Sequence, residues 1–492
     1  MAGRLWSLVS LYLVVPLYLR ALGVEAYGAV GFYTVLQGVL TFADAGLTAA
    51  LSREAARLKA APGGGAELRN VVRTVELVYV GVWSLVALCL WLVSPFIATR
   101  WLNPGAVPPP DLLFAVRAMA VAIPLQFFAG FYLGGLMGLE RQVSANVLQV
   151  AWSTLRSGGA AIGLFVLSPT LTTYFAIQLV ANALYLFGSR VMLLRVLPGP
   201  PASGVWSRAV VQRLTRYIGG MTALSMLSAV LVQADKLAVS KLLPLAALGA
   251  YSIASTLAQL PMSFAWPVAT AVFPTLTVLA EQGDRITLAE TYHRACQLVA
   301  VATAPMAIGI ALFGRELVLV WTGRPDTAAS VAGPLLPLAL GSLFLALLLV
   351  PFQLALASAW IRLNLLLSSV SVVLIVPLLI LLIRSYGPVG AGFAWMTLNA
   401  AMIPPFVFFL HRRLLPGATT RWVLEDLLRP VVAAAVITVA VRLLLPSLLG
   451  AGAVLIPLAV GMLALVASAV ATPASRQLLR SLQQRTRVPA SP

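Results

Sequence analysis

The stretch "LGVEAYGAVGFYTVLQ", residues 22–37, can be laid without a gap on "LPLAALGAYSIASTLA", residues 243–258. Leu22 then meets Leu243, Gly28 meets Gly249 and Ala29 meets Ala250, at a constant offset of 221 residues. A repeat of that length governs the fold, so the content of one period comes first. Apolar runs of about 20 residues recur through it, each long enough to cross a hydrocarbon core of ~30 Å. Lipid offers no partners to free backbone N–H and C=O groups, so such runs must be helices. Six of them separate the two copies. An even number leaves both copies in one orientation, which predicts parallel repeats about an axis along the membrane normal.

Over all 492 residues the hydrophobic fraction is 60%, charged residues make up 10%, and mean hydropathy is +0.96. Soluble domains carry about 25% charged residues, so the chain reads as an all-α polytopic membrane protein. Fourteen transmembrane helices are expected, at about 5–19, 27–50, 74–98, 113–137, 147–167, 173–193, 217–240, 249–279, 295–314, 331–359, 364–384, 389–410, 430–446 and 452–471. They group into two six-helix lobes, 1–200 and 201–415, related by a pseudo-twofold along the membrane normal. Two additional helices at 416–475 and a basic tail at 476–492 follow. The first apolar run continues straight into the membrane pattern, so no cleaved leader is expected. Its shortness leaves room for a few further N-terminal residues.

The net charge of +18 raises nucleic acid as a partner, but the distribution of the charge excludes it. With the N-terminus inside, inward segments hold 23 Lys and Arg and outward segments hold 7. That bias places both termini in the cytoplasm by the positive-inside rule. The basic charge is therefore read as topology. Cys89 and Cys296 fall within spans 3 and 9 and form neither a disulfide framework nor a zinc signature. No phosphate-binding loop, paired-carboxylate hydrolase site or activated nucleophile is visible. The reading is a transporter and not an enzyme. It needs no cofactor, and its energy comes from an ion gradient, the membrane potential or the substrate's own gradient.

Polar residues inside the spans mark the candidate chemistry. In span 2, Thr34, Gln37, Thr41, Asp44, Thr48 and Ser52 recur at steps of three and four, so they share one helix face. A carboxylate facing lipid is costly, and this face is expected to look into the bundle or a watery cavity. An ordinary polar helix–helix contact is the alternative. Arg53 follows the stripe at the cytoplasmic mouth, as a headgroup contact or a topological anchor. In span 5, Asn146, Gln149, Ser153 and Arg156 share a face. Arg156 lies about ten residues in, at ~1.5 Å per residue, hence near the midplane. It either pairs with Asp44 or Glu76 or binds an anionic substrate. In span 7, Asp235 and Lys236 are adjacent, about 100° apart on the helix, and need not neutralise each other. Asp235 snorkels poorly and is the firmer cavity candidate, while Lys236 either lines the path or snorkels outward with Lys241. Arg117 is expected to snorkel. His293 and His411 lie at helix ends, too scattered for a metal site.

Several of these patterns converge on one family. "LGVEAYG" followed by "FADAGLTAALSREAAR", residues 42–57, resembles the first two helices of bacterial polysaccharide (O-antigen type) lipid-linked oligosaccharide flippases. "GLMGLERQVSANVLQV", residues 135–150, is similar to their linker between helices 4 and 5. "QADKLAVSKLLPLAALGAYSIASTLAQLP", residues 233–261, resembles their helix 7–8 segment, and "YGPVGAGFAW", residues 386–395, their turn before helix 12. The resemblance covers residues 1 to about 412. It implies the multidrug/oligosaccharidyl-lipid/polysaccharide exporter superfamily and a central cationic cavity. It implies flipping of an undecaprenyl-pyrophosphate-linked oligosaccharide to the periplasmic leaflet of the bacterial inner membrane by alternating access. Functional roles pass by this resemblance to Asp44, Arg53, Asp235 and Lys236. Gln37, Gln149 and Arg156 enter the expected path from their stripes, with Asp44 and Asp235 as charge balance or as H⁺ or Na⁺ coupling sites.

The expected partners are the lipid-linked oligosaccharide, the bilayer and the polysaccharide polymerase machinery, with the chain acting as a monomer. Fourteen spans exceed the twelve commonest in the family and keep a lipid II-type flippase open. A cation-coupled multidrug or small-solute antiporter of the same fold would want a cavity of carboxylates and aromatics instead. A membrane-embedded glycan polymerase would want large outward loops, and those here are short.

Overall fold

A computed structural model describes residues 2–44, 46–61, 64–197, 204–212, 231–444 and 455–473. The described residues are helical and form no strand, with one isolated bridge between Asn103 and Pro244. Helix is what the chemistry dictates, because each apolar run must satisfy its own backbone. Nine of the described helices are long and apolar enough to cross a membrane, two of them merging a pair of expected spans. The protein is an all-α multi-pass membrane protein. Residues 213–230, most of expected span 7, and the basic tail 476–492 lie outside the described residues.

The helices are α1 (Ala2–Asp44), α2 (Leu47–Ala60), α3 (Gly64–Phe96), α4 (Pro109–Gly138), α5 (Gln142–Thr154), α6 (Ala160–Val166) and α7 (Leu171–Val196). There follow α8 (231–242), α9 (Leu245–Ala258), α10 (Leu260–Gln282), α11 (Arg285–Thr322), α12 (Pro325–Ala357) and α13 (Ile361–Leu414). The short α14 (Ala418–Arg421), then α15 (Arg429–Leu444) and α16 (Leu455–Ala471), complete the series.

Glycine decides where several expected boundaries move. Spans 1 and 2 follow each other with no loop between them: Gly23, at φ 79° and ψ 172°, breaks α1 into two helical segments, a conformation that suits a residue with no Cβ. Gly387, at φ 59° and ψ −139°, likewise divides α13 into the two helices expected as spans 11 and 12. Span 2 does not reach residue 50. Its helix stops at Asp44, Gly46 adopts φ 76°, and α2 starts at Leu47. Span 8 is two helices, α9 and α10, because Pro261 has no N–H to continue a ladder and instead opens α10. Span 5 runs through α5 and α6 with a π-helical turn, Leu155–Gly159, between them.

Two compact units make up the chain, Met1–Gly249 and Ala250–Pro492. In the first unit α4 packs on α2, α3 and α7, and α5 packs on α1. In the second, α11 is central, against α10, α12, α15 and α16. One apolar core there joins α10, α11, α12 and α13 with Trp422; another joins α11 and α12 to α15 and α16.

Candidate functional site

Arg156 sits in the π-helical turn between α5 and α6. Such a turn loosens the i→i−4 ladder and leaves carbonyls for outside donors. Gln178 Nε2 donates to the Arg156 carbonyl at 3.2 Å, and the Tyr18 hydroxyl donates to the Ser157 carbonyl at 2.8 Å. The turn is thus gripped from α7 and α1. The Arg156 guanidinium lies 4.8 Å from the Trp152 ring centroid, and Trp152 stacks on Tyr185 at 4.6 Å. This is a cation–π ladder, favourable for a weakly hydrated cation out of bulk water. Tyr18, Tyr33, Tyr174 and Tyr185 all lie within reach of its charge. Among the described residues no carboxylate comes within ion-pair distance of Arg156. The expected alternatives, Asp44 and Glu76, have other partners.

A polar chain leads from this cation to the expected Gln37. Trp152 Nε1 donates to Asn182 Oδ1 at 2.8 Å, and Asn182 Nδ2 donates to the Tyr33 hydroxyl at 3.2 Å. Gln37, one turn beyond Tyr33 on α1, donates its Nε2 to Gln126 Oε1. Asn182 is fully buried and also donates to the Ala122 carbonyl at 3.1 Å, so the chain is anchored on α4. Gln149, one turn before Ser153, is half-buried on α5. Gln126, Asn182, Trp152 and the four tyrosines were missed by sequence reasoning. Their connection runs across α1, α4, α5 and α7, and no single-helix periodicity records it.

Other expectations need correction. The span-2 stripe is not continuous, because Gly46 ends the helix and re-aims Thr48 and Ser52. Thr34 and Thr41 are exposed, and their hydroxyls donate to the carbonyls of Gly31 and Gln37 on their own helix. Asp44 is half-buried and accepts from Thr48 Oγ1 at 2.7 Å, with Tyr79 behind Thr48 at 2.9 Å. Arg53 is exposed on α2. Asp235 is 2% exposed, and Lys236 Nζ donates to its Oδ1 at 3.5 Å. The doublet is an ion pair and not two independent charges. Burial is the cause: an unpaired charge out of water is expensive, and the flexible Lys stem bends back across the 100°. Lys241 instead reaches the Arg100 carbonyl and lies 5.5 Å from the Trp101 ring. Arg117 lies over Trp91 at 5.2 Å.

Glu76 gathers a second charged group from three helices. Its carboxylate accepts from Arg73 Nη1 at 2.9 Å, Arg190 Nε at 2.8 Å and the Tyr132 hydroxyl. Both arginine side chains remain about half exposed. Read along the sequence, Arg73 and Arg190 were only topological charges; their convergence requires α3, α4 and α7 to be packed.

At the opposite end of the first unit the two repeat copies touch. A Cβ added to Gly28 would lie 2.3 Å from the Leu245 carbonyl oxygen, and one added to Gly249 would lie 2.0 Å from that of Val24. Asn103 Nδ2 donates to the Lys241 carbonyl at 3.1 Å, and the Leu245 amide donates to the Asn103 carbonyl at 2.9 Å. Trp101 Nε1 donates to Ser240 Oγ at 3.0 Å. Glu25 takes the amides of Gly105 at 2.6 Å, Ala106 at 2.9 Å and Val107 at 3.3 Å, which holds the 103–107 loop across this end.

Comparison with known proteins places these features. Residues 7–279 match the family described as polysaccharide biosynthesis protein. A putative O-antigen transporter of Shigella flexneri is 24% identical over 378 residues, covering 76% of this chain and 87% of that protein. The succinoglycan biosynthesis transport protein ExoT of Rhizobium meliloti (strain 1021) is 27% identical over 332 residues, 65% of this chain and 61% of that protein. An inward-facing multidrug resistance transporter of the MATE family, MOP superfamily, superposes with a TM-score of 0.71 at 14% identity, over 84% of this chain and 94% of the other. The lipid II flippase MurJ in an inward closed conformation gives 0.67 at 15% identity, over 98% and 97%.

Proposed function

Because the chain belongs to the polysaccharide biosynthesis protein family, we propose that it flips an isoprenoid-pyrophosphate-linked oligosaccharide across the bacterial inner membrane by alternating access. It is a membrane transporter and not an enzyme. The observation that carries the substrate class is Arg156: a cation deep in an apolar chain, stacked on Trp152 and without a carboxylate partner among the described residues. A pyrophosphate supplies the missing anion, and the guanidinium fork matches its oxygens in a way a point charge cannot. Gln37, Gln126 and Gln149 add neutral donors and acceptors, which suit a polar glycan.

The drug-antiporter reading of the same fold wants an available membrane carboxylate. Here Asp235 is tied to Lys236 and Glu76 to two arginines, while Asp44 is hydrogen-bonded to Thr48. The charge bias along the sequence places both termini, and the end carrying Arg73 and Arg190, in the cytoplasm. The contact of Gly28 with the 245–249 turn then lies on the periplasmic side, as a closed outer end. The test is glycan export by cells carrying Arg156→Ala. Membrane levels should be normal, export lost, and lipid-linked glycan retained on the cytoplasmic face. Normal export in that variant overturns the assignment.

A further inference from the structure

The second unit holds a buried polar cluster that the proposed path does not use. α11 presents Tyr292, His293, Cys296 and Gln297 on adjoining turns, and the π-helical segment Trp422–Leu428, which runs from α14 into α15, brings Trp422 and Asp426 onto them. Asp426 is 1% exposed. Its Oδ2 meets His293 Nδ1 at 2.5 Å, and its Oδ1 accepts from Gln297 Nε2 at 2.8 Å. Beside it, buried His411 at the end of α13 bonds the Tyr292 hydroxyl through Nε2 at 2.9 Å and the Thr419 hydroxyl through Nδ1 at 3.1 Å. Trp422, also buried, sets its ring 6.2 Å from that of His411.

The surroundings leave this cluster to balance its own charge. On the outer face Glu425 pairs with Arg421 at 3.2 Å and with Arg429 at 3.3 Å, and of these Arg421 is the one within electrostatic reach of Asp426. From α11 the other titratable groups facing Asp426 are the uncharged Tyr292 and Cys296, while Glu290 and Arg294 pair with each other on its exposed side. From α13, Arg412 is exposed and Arg413 stacks on Trp360 at 4.5 Å. The acids of α10 and α12 are exposed Glu281 and Asp326, the latter at the far end of its helix, and α16 carries no charged residue.

We propose that Asp426, His293 and Gln297 form a proton-binding site that fastens the Trp422–Leu428 helical segment, and with it α15 and α16, to α11. A buried Asp–His pair is electroneutral when it holds one proton. A second proton neutralises the carboxylate and leaves the imidazolium without its counter-ion in a dry site, which favours release of the segment. The ligand is H⁺ and not a metal ion. Both carboxylate oxygens already face nitrogen groups, whereas hard cations want about six oxygens, and no metal-holding group of His, Cys, Asp or Glu occurs among the described residues. Resting on the transport reading above, this end of the unit faces the cytoplasm and supplies a proton site apart from Asp44 and Asp235.

The chain has two histidines in all, so ring-labelled histidine in the full-length protein in lipid nanodiscs gives two sets of magnetic-resonance signals, assigned by His411→Gln. Asp426→Asn should change the His293 ring signals at constant pH, since it removes the carboxylate paired with Nδ1. Hydrogen exchange of amides 422–428, corrected for the intrinsic rate, should be slowest where the pair holds one proton and should rise in acid as the carboxylate takes the second. His293 signals indifferent to Asp426→Asn, or exchange indifferent to pH, each overturns the proposal. If Asp426→Asn does not fold, the wild-type exchange decides alone. None of these readouts needs a substrate, so failure of the flippase reading would leave them interpretable.

Discussion

Gly249→Ala tests whether the contact between the repeat copies holds one end of the first unit shut. The added Cβ would stand 2.0 Å from the Val24 carbonyl oxygen and 3.0 Å from its carbonyl carbon. The obstacle is backbone and not a side-chain tip, so the 245–249 turn or α1 must retreat by about 1 Å to restore ordinary contact. Overpacking of this kind costs about 1–3 kcal/mol. The gain in helix propensity from Gly to Ala is common to open and closed forms and cancels. The closed population should therefore fall relative to the open one by about 5- to 150-fold, at 1.4 kcal/mol per factor of ten. The reporter is Ser240→Cys, normally buried behind Trp101, in a background lacking Cys89 and Cys296. Its labelling by a membrane-impermeant thiol reagent applied outside should accelerate by that factor. A rate within about twofold of the parent would mean that the contact does not set the equilibrium.

Other substitutions separate structure from transport. Tyr18→Phe removes the donor on the Ser157 carbonyl, worth about 0.5–1.5 kcal/mol; export should drop by about 2- to 10-fold with unchanged protein level, and no drop means the π-helical turn needs no grip from α1. Glu76→Gln leaves Arg73 and Arg190 without their shared charge. Since those arginines are half exposed, the loss should be about 1–2 kcal/mol, read as a lower melting temperature in detergent; an unchanged melting point contradicts the anchoring role. Asp235→Asn should cost about 3–5 kcal/mol by leaving Lys236 buried without its counter-ion, seen as less inserted protein. Adding Lys236→Met should restore the level, and a double variant as poor as the single would show that the pair is not what matters.

Much of the fold was legible because hydrophobic runs and the lipid's refusal of free backbone groups leave little choice but helix. The repeat was legible too, and Gly28 with Gly249 turned out to be a physical contact as well as an alignment. What escaped was decided by packing. Gly46 sits among apolar residues in a run that reads as one helix, and only its positive φ shows the break that divides the Thr34–Ser52 stripe. Asp235 and Lys236 looked independent because helical geometry separates their Cβ directions, yet burial compels the longer side chain to close the gap. Asn182 and Gln126 looked like ordinary polar residues until four helices brought them between Arg156 and Gln37. His293 and His411 seemed scattered, being far apart in sequence, and Asp426 in a linker gave no sign that it would be drawn into the same buried cluster.

The central claim is that Arg156 carries an anionic lipid headgroup across the membrane. The direct measurement is translocation of a pyrophosphate-linked glycan by purified protein in proteoliposomes, with wild type, Arg156→Lys and Arg156→Ala side by side. Loss of a charge-assisted contact worth about 1.5–3 kcal/mol predicts a fall of about 10- to 150-fold for Arg156→Ala. Arg156→Lys, keeping the charge but losing the planar fork and the stack on Trp152, should fall between. Equal rates for all three proteins would contradict the account.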